Sequence, residues 1–300
     1  MRKAIKIIAI VVAGLVVLAG CLALLASVMS DRKRQRSIDV TVAPVAYVSD
    51  DSARARGKYL FESRGCAECH GTDGHGIVVI DSGGMYVQSP NISPGAGSVV
   101  AQYTEADWVR TIRHGVKPDK HPVIIMPSKD YNRLTDADLA ALVAYVRNLP
   151  PVAGEGATIR FPLIVKALYT VGQIKDDAEE IDHALPPSTP VPDAVTKEHG
   201  AYVATMCQGC HGDHFSGGPI PGTPPEWPPA ANLTPGAGSA MPRYDSPEKF
   251  VTMLRTGKRP DASAVSTVMP FESLRHLNDT DIAAVYMYLK SLPPRAAGGR

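Results

Sequence analysis

Ile7 to Met29 runs without a charge between a basic start, Arg2, Lys3 and Lys6, and a basic cluster, Arg32 to Arg36. About 20 apolar residues at 1.5 Å each cross the core of a bilayer, so this pattern predicts a spanning helix. The run exceeds the roughly 7–15 apolar residues of a cleaved export signal. Residues 1–30 are therefore expected as an anchor. Residues 31–52 are polar, contain Pro44 and have no helical period, which reads as a tether. Further on, Leu139, Leu142, Val143 and Val146 mark one helix face, and Ile282, Val285, Tyr286 and Leu289 mark another. Start signals agree: Thr104 with Asp107, Thr135 with Asp138, and Asn278 with Asp281 place a capping side chain three residues before a carboxylate. Ser246-Pro247 puts proline at a first helical position. No stretch alternates convincingly as a strand, so the expected fold class is mostly α.

The pattern repeats. Cys66-Ala67-Glu68-Cys69-His70, the NISPGAGS segment at 91–98, VRTIRHG at 109–115, Met126-Pro127 and a helix ending Leu149-Pro150-Pro151 follow one another in the first half. In the second half come Cys207-Gln208-Gly209-Cys210-His211, NLTPGAGS at 232–239, VTMLRTG at 251–257, Met269-Pro270 and a helix ending Leu292-Pro293-Pro294. The offset is 141 at the first cysteine and 143 at the methionine. Such small drift means a duplicated domain, expected over 53–151 and 195–300. Residues 152–194 join them as a linker, with an apolar run from Ile159 to Val171 and prolines from Pro186 to Pro192 that should pack along the domain surfaces.

Composition narrows the class. Gly and Pro number 26 each and aromatics 6%, which suits short helices on irregular loops. A formal net charge of +1 gives no case for nucleic acid. Four of the five cysteines lie in the two CxxCH motifs, the attachment pattern of c-type haem. In this chemistry Cys66, Cys69, Cys207 and Cys210 bond the porphyrin vinyl groups, and His70 and His211 ligate iron. A thioredoxin-type pair would need a βαβ setting. Paired zinc motifs lie closer together than these. Two covalently bound haems are the expected cofactors.

Met126 and Met269 each precede a proline before the last helix of their domain, and are the candidate sixth ligands. His75, His114, His121, His214 and His276 are rivals without counterparts in the other repeat; a solvated surface position is expected for each. Arg113 and Arg255 match in the repeat and are candidate donors to haem propionates, with an ordinary place on an amphipathic helix as the alternative. Trp108 and Phe250 are read as core. Asn91 and Asn232 are read as local turn formers. Leu18-Ala19-Gly20-Cys21 leaves lipid attachment at Cys21 as an alternative to the uncleaved anchor.

On the CAECH and CQGCH motifs and their Met-Pro pairs, the chain resembles the class I cytochrome c family over about 53–151 and 195–294. NISPGAGS and NLTPGAGS are similar to segments in cytochrome subunits of membrane-bound alcohol and gluconate dehydrogenases, which have three haem domains where this chain has two. The resemblance implies tandem helical bundles in which the first and last helices cross over a haem held by His and Met. Covalent haem attachment takes place outside the bacterial cytoplasm, so both domains are expected on the periplasmic side of the inner membrane, held by a single pass. The expected function is electron transfer from a periplasmic dehydrogenase or quinol-oxidising complex to a terminal oxidase or soluble cytochrome, without catalysis of its own. A haem enzyme, such as a di-haem peroxidase or a thiosulfate-type dehydrogenase, and a subunit of a larger dehydrogenase or oxidase complex are the alternatives.

Overall fold

The computed structural model describes residues 2–224 and 226–299; Met1 and Arg300, the outer ends of the expected anchor and second domain, and Pro225 lie outside them. Helix α1 (Arg2–Arg34) is long and apolar enough to cross a membrane, and its side chains from Ile5 to Leu18 stand clear of the rest of the protein. The first domain holds α2 (Asp51–Ser63), α3 (Cys66–His70), strands β1 (Val78–Ser82) and β2 (Met85–Gln88), α4 (Glu105–His114), α5 (Ser128–Tyr131) and α6 (Asp136–Arg147). Strand β3 (Thr158–Arg160), α7 (Leu163–Thr170) and α8 (Asp177–Glu180) occupy the middle of the chain. The second domain contains α9 (Lys197–Ala204), α10 (Gln208–His211), α11 (Pro247–Thr256), α12 (Phe271–Leu274) and α13 (Asp279–Ser291). The fold is mostly helical, in two like domains.

Each domain is organised by the crossing of its first and last helices. A Cβ on Gly57 would lie 2.0 Å from the carbonyl oxygen of Ala141, and one on Gly200 would lie 2.0 Å from that of Ala284. Only hydrogen at these positions lets α2 meet α6, and α9 meet α13, backbone to backbone. Leu60, Phe61, Trp108, Leu139, Leu142, Val143 and Val146 fill the first core. Val203, Phe250, Leu254, Ile282, Val285 and Leu289 fill the second. Trp108 and Phe250 are thus core residues, each edge-on to its repeat tyrosine, Tyr103 at 5.2 Å and Tyr244 at 5.6 Å.

The repeated Asn turns act as clasps. Asn91 accepts from the Ser93 amide and donates to the carbonyls of Ala96 and Val152; Asn232 accepts from the Thr234 amide and donates to those of Ala237 and Arg295. Each asparagine so ties its turn to the chain leaving the final helix.

Three features depart from the expectations. Residues 78–82, 85–88 and 158–160 form an antiparallel sheet in the order β1-β2-β3, although alternation is weak. The Gly83-Gly84 pair, at φ 57° and 77°, supplies the tight hairpin, and the linker contributes the third strand. Residues 31–52, expected as a tether, do not hang free. Helix α1 continues to Arg34, and Val42, Val45 and Tyr47 then pack on the first core. Tyr47 donates from its hydroxyl to the Tyr103 carbonyl and lies under the Arg147 guanidinium at 3.7 Å. His114, expected at the surface, is buried, with Nδ1 3.1 Å from Nδ1 of His183. Burial, followed by the charge of His183, pushes its imidazole down to about 4.

Candidate functional site

Both CxxCH motifs form a short helical turn entered from the first helix of their domain and left through a glycine with positive φ, Gly71 at 79° and Gly212 at 80°. That exit returns the chain past the histidine ring. The Pro90 carbonyl lies 3.1 Å from His70 Nδ1, and the Ala231 carbonyl 2.8 Å from His211 Nδ1. A carbonyl can only accept, so Nδ1 carries the proton and Nε2 is the basic nitrogen of each ring. Burial holds the His70 imidazole below its usual range and favours its neutral form. None of the five cysteines is in a disulfide. Burial pushes the Cys66 and Cys207 thiols up to about 12, and both side chains pack against the cores. Among the described residues, no three His, Cys, Asp or Glu side chains converge as a zinc site would require. Thiols with two residues between them, and an adjacent histidine fixed through Nδ1, fit covalent haem in each domain.

Met126 and Met269 sit in matching loops. The prolines that follow have nearly the same backbone, Pro127 at φ −80°, ψ 65° and Pro270 at φ −78°, ψ 71°. Ile125 is held at φ 79°, unusual for a β-branched residue, immediately before Met126. The first loop is tied to its own motif, because the Tyr131 hydroxyl donates to the Arg64 carbonyl at 2.8 Å. Arg113 and Arg255 do not reach into open space. Arg113 bonds the Leu134 carbonyl and Asp136, and Arg255 bonds the Arg275 carbonyl and Asp279. Both thus brace the start of the final helix, although Arg113 Nε is buried without a partner.

The domains meet motif to loop. Glu68, inside the first CxxCH, accepts from the Ser273 amide at 2.6 Å on α12, just after Met269. Asp130 on α5, just after Met126, accepts from the Gly209 amide at 3.1 Å inside the second CxxCH. Around this contact lies a polar network with internal two-fold logic. The Tyr59 hydroxyl donates to Asp281 at 2.5 Å and accepts from the Asn278 amide at 3.3 Å. The Tyr202 hydroxyl donates to Asp138 at 2.6 Å and accepts from the Thr135 amide at 3.3 Å. Each tyrosine therefore caps the last helix of the other domain. Burial pushes both phenols up to about 12, so they remain donors. Within each domain the same carboxylates receive Arg56 at 2.8 Å and His199 at 2.7 Å.

Sequence reasoning missed Tyr59, Tyr202, Arg56, His199 and Arg64, and read Asp138 and Asp281 only as capping residues. The Arg64 side chain, buried at the domain boundary, reaches Asp281 at 3.3 Å, and its charge extends to the thiols of both Cys66 and Cys207. A usable signal existed for three pairs: Tyr59 with Tyr202, Asp138 with Asp281, and Arg56 with His199 all recur at an offset of 143. Arg64 has no such mark.

A family model described as cytochrome c matches residues 54–150 and again 198–293. The fructose dehydrogenase cytochrome subunit of Gluconobacter japonicus is 27% identical over 82% of this chain, which covers 54% of that subunit. The gluconate 2-dehydrogenase cytochrome c subunit of Pantoea cypripedii is 27% identical over 84% of the chain, covering 63% of the relative. A diheme cytochrome c-type protein of Cereibacter sphaeroides is 26% identical over 80% of the chain and is itself covered to 86%. The chain thus spans little more than half the length of the dehydrogenase subunits it resembles.

Proposed function

The chain belongs to the cytochrome c family, and from that premise we propose that it is a membrane-tethered di-haem relay. Covalently held haem c supplies a one-electron iron couple in each domain. Cys66 and Cys69 hold one group and Cys207 and Cys210 the other. His70 and His211 ligate through Nε2, with Met126 and Met269 as the sixth ligands. Two filled sites make an electron carrier, whereas a peroxidase-type enzyme needs one site open. Arg113 and Arg255 brace the final helices in this reading and leave the haem carboxylates to other donors.

The single observation that carries the proposal is the reciprocal contact of Glu68 with the Ser273 amide and Asp130 with the Gly209 amide. Each motif is bonded to the segment after the other domain's methionine, which suits direct passage of electrons along one chain. The buried cation of Arg64 beside both motifs favours the reduced state of each iron. Helix α1 keeps the relay at the inner membrane with both domains on the periplasmic side. Its donor is a membrane-associated dehydrogenase or a quinol-oxidising complex, and its acceptor a terminal oxidase or soluble cytochrome. Likeness to cytochrome subunits of fructose and gluconate dehydrogenases favours the dehydrogenase as donor.

Haem quantitation and a redox titration of the purified chain test this reading. Two haems per chain are expected, and Met126→Ala and Met269→Ala should each lower one midpoint potential while leaving the other in place. A single haem, or a methionine variant with both potentials unchanged, would overturn it.

A further inference from the structure

Helix α7 and its surroundings have no role in the relay, and they lie against the anchor. Ala23, Ala26 and Ser27 of α1 are half-buried and Ser30 is fully buried, in a helix whose preceding turns are exposed. These small residues, at spacings of three and four, form the face on which α7 packs. Thr170 donates from Oγ1 to the Ala26 carbonyl at 3.3 Å, and Lys33 donates to the Tyr169 carbonyl at 2.9 Å. Arg36 holds Asp176 through two bonds of 2.7 Å, and Lys33 pairs with Glu179 at 3.0 Å. The position of α7 along α1 is therefore determined. Ala26 lies five residues before Asp31, the first charge after the apolar run, or about 7.5 Å inside it. That is the depth at which interfacial helices rest, about 5–10 Å into the headgroup and acyl boundary.

The side of α7 turned away from the protein is apolar. Leu163, Ile164 and Val171 are 48%, 64% and 68% exposed, and with Ala167 and Leu168 they fall within one arc of the helix. Tyr169, on the opposite side, is buried. From Gly156 to Lys175 the chain carries Arg160, Lys166 and Lys175 and no acidic residue. The nearby acids of α8 are directed elsewhere, with Glu179 on Lys33 and Asp177 accepting from the Lys129 amide. An exposed apolar arc on a stretch whose only charges, from 156 to 175, are basic, fixed at the outer end of the apolar run of α1, matches one surface.

We propose that α7 is a second membrane contact, lying in the interface of the bilayer that α1 crosses, with Arg160, Lys166 and Lys175 at anionic headgroups. The inference rests on the reading of α1 as a membrane helix. A tether alone lets the domains swivel, whereas a helix pinned in the plane beside the anchor fixes which face of the relay is turned to the membrane.

The test uses the full-length, haem-loaded chain with Cys21→Ser, one copy per nanodisc of phosphatidylethanolamine and phosphatidylglycerol. Single cysteines are introduced as Ile164→Cys, Val171→Cys, Leu15→Cys and Lys290→Cys, and the rate of reaction with a membrane-impermeant maleimide is measured. Apolar surroundings raise a thiol pKa, and each unit removes tenfold of the reactive thiolate, so positions 164 and 171 should react about tenfold or more slowly than 290. Position 15 should be protected as well. Rates at 164 and 171 equal to that at 290, with 15 protected, overturn the contact and leave the anchor standing. Rapid reaction at 15 overturns the anchor and this inference with it.

Discussion

Replacing Asp281 by alanine removes the acceptor at the centre of the domain interface. Its carboxylate, fully buried, receives the Tyr59 hydroxyl at 2.5 Å, His199 Nε2 at 2.7 Å and the Arg64 guanidinium at 3.3 Å. Arg64 itself is only 7% exposed, so the change strands a buried charge. Breaking one side of a buried pair costs about 3–5 kcal/mol, more than the roughly 1.5–3 kcal/mol of one hydrogen bond to a charged group. With a slope of about 4 kcal/mol per molar guanidinium, the unfolding midpoint should fall by roughly 1 M. The assay is denaturation of the haem-loaded chain followed by Soret absorbance and circular dichroism. Tyr59→Phe should cost less, and the double variant should cost little more than Asp281→Ala alone, because both remove the same bond. Burial raises the Asp281 carboxyl, but the Arg64 charge and the bonds from Tyr59 and His199 outweigh it and hold the group below its usual range. A carboxyl depressed by folding contributes stability above about pH 4 that is lost as pH falls through its lower folded value. The wild-type chain should therefore lose stability in acid more steeply than Asp281→Ala. A cost under about 1 kcal/mol, well short of that for a buried pair, would refute the reasoning. So would loosening of the second domain with the first unchanged.

Asp130 should behave in the opposite sense. Burial and the neighbouring Asp177 push its carboxyl up to about 7, so its contribution is full below about pH 4 and is lost as pH rises through 7. Asp130→Asn should flatten the change in unfolding midpoint between pH 5 and pH 8; an unchanged slope would assign that titration elsewhere. Gly57→Ala drives a methyl group to 2.0 Å from the Ala141 carbonyl and should cost about 3 kcal/mol or more, with reduced haem incorporation in the first domain. Near-normal yield and stability for that variant would mean that the helix crossing can open without penalty. Deleting the carboxylate clamps, Glu68→Ala with Asp130→Ala, should slow electron exchange between the two haems without changing haem content, measured by flash reduction of one domain.

Patterns confined to neighbouring residues were legible in the sequence. The CxxCH motifs, the Met-Pro pairs, the charge-free run and the apolar faces of α6 and α13 are written at spacings of one to four residues, where covalent reach and helix geometry impose the pattern. The duplication was legible because offsets of 141 and 143 align whole sets of such local signals. Capping was only half legible. Thr104 and Asp107 complete the reciprocal box expected of them, but Asp138 and Asp281 turn away to accept tyrosines from the opposite domain. Tyr59 and Asp281 are 222 residues apart, and no periodicity records which distant hydroxyl a buried carboxylate will meet. Docking also buried Arg64, packed residues 42–47 onto the first core and recruited residues 158–160 as a third strand. A residue's burial depends on the surface that closes over it, and that surface exists only when the domains, the linker and the end of α1 come together. The sequence determined what each domain can hold; the tertiary structure decided how the two sites face one another and which side of the protein lies along the anchor.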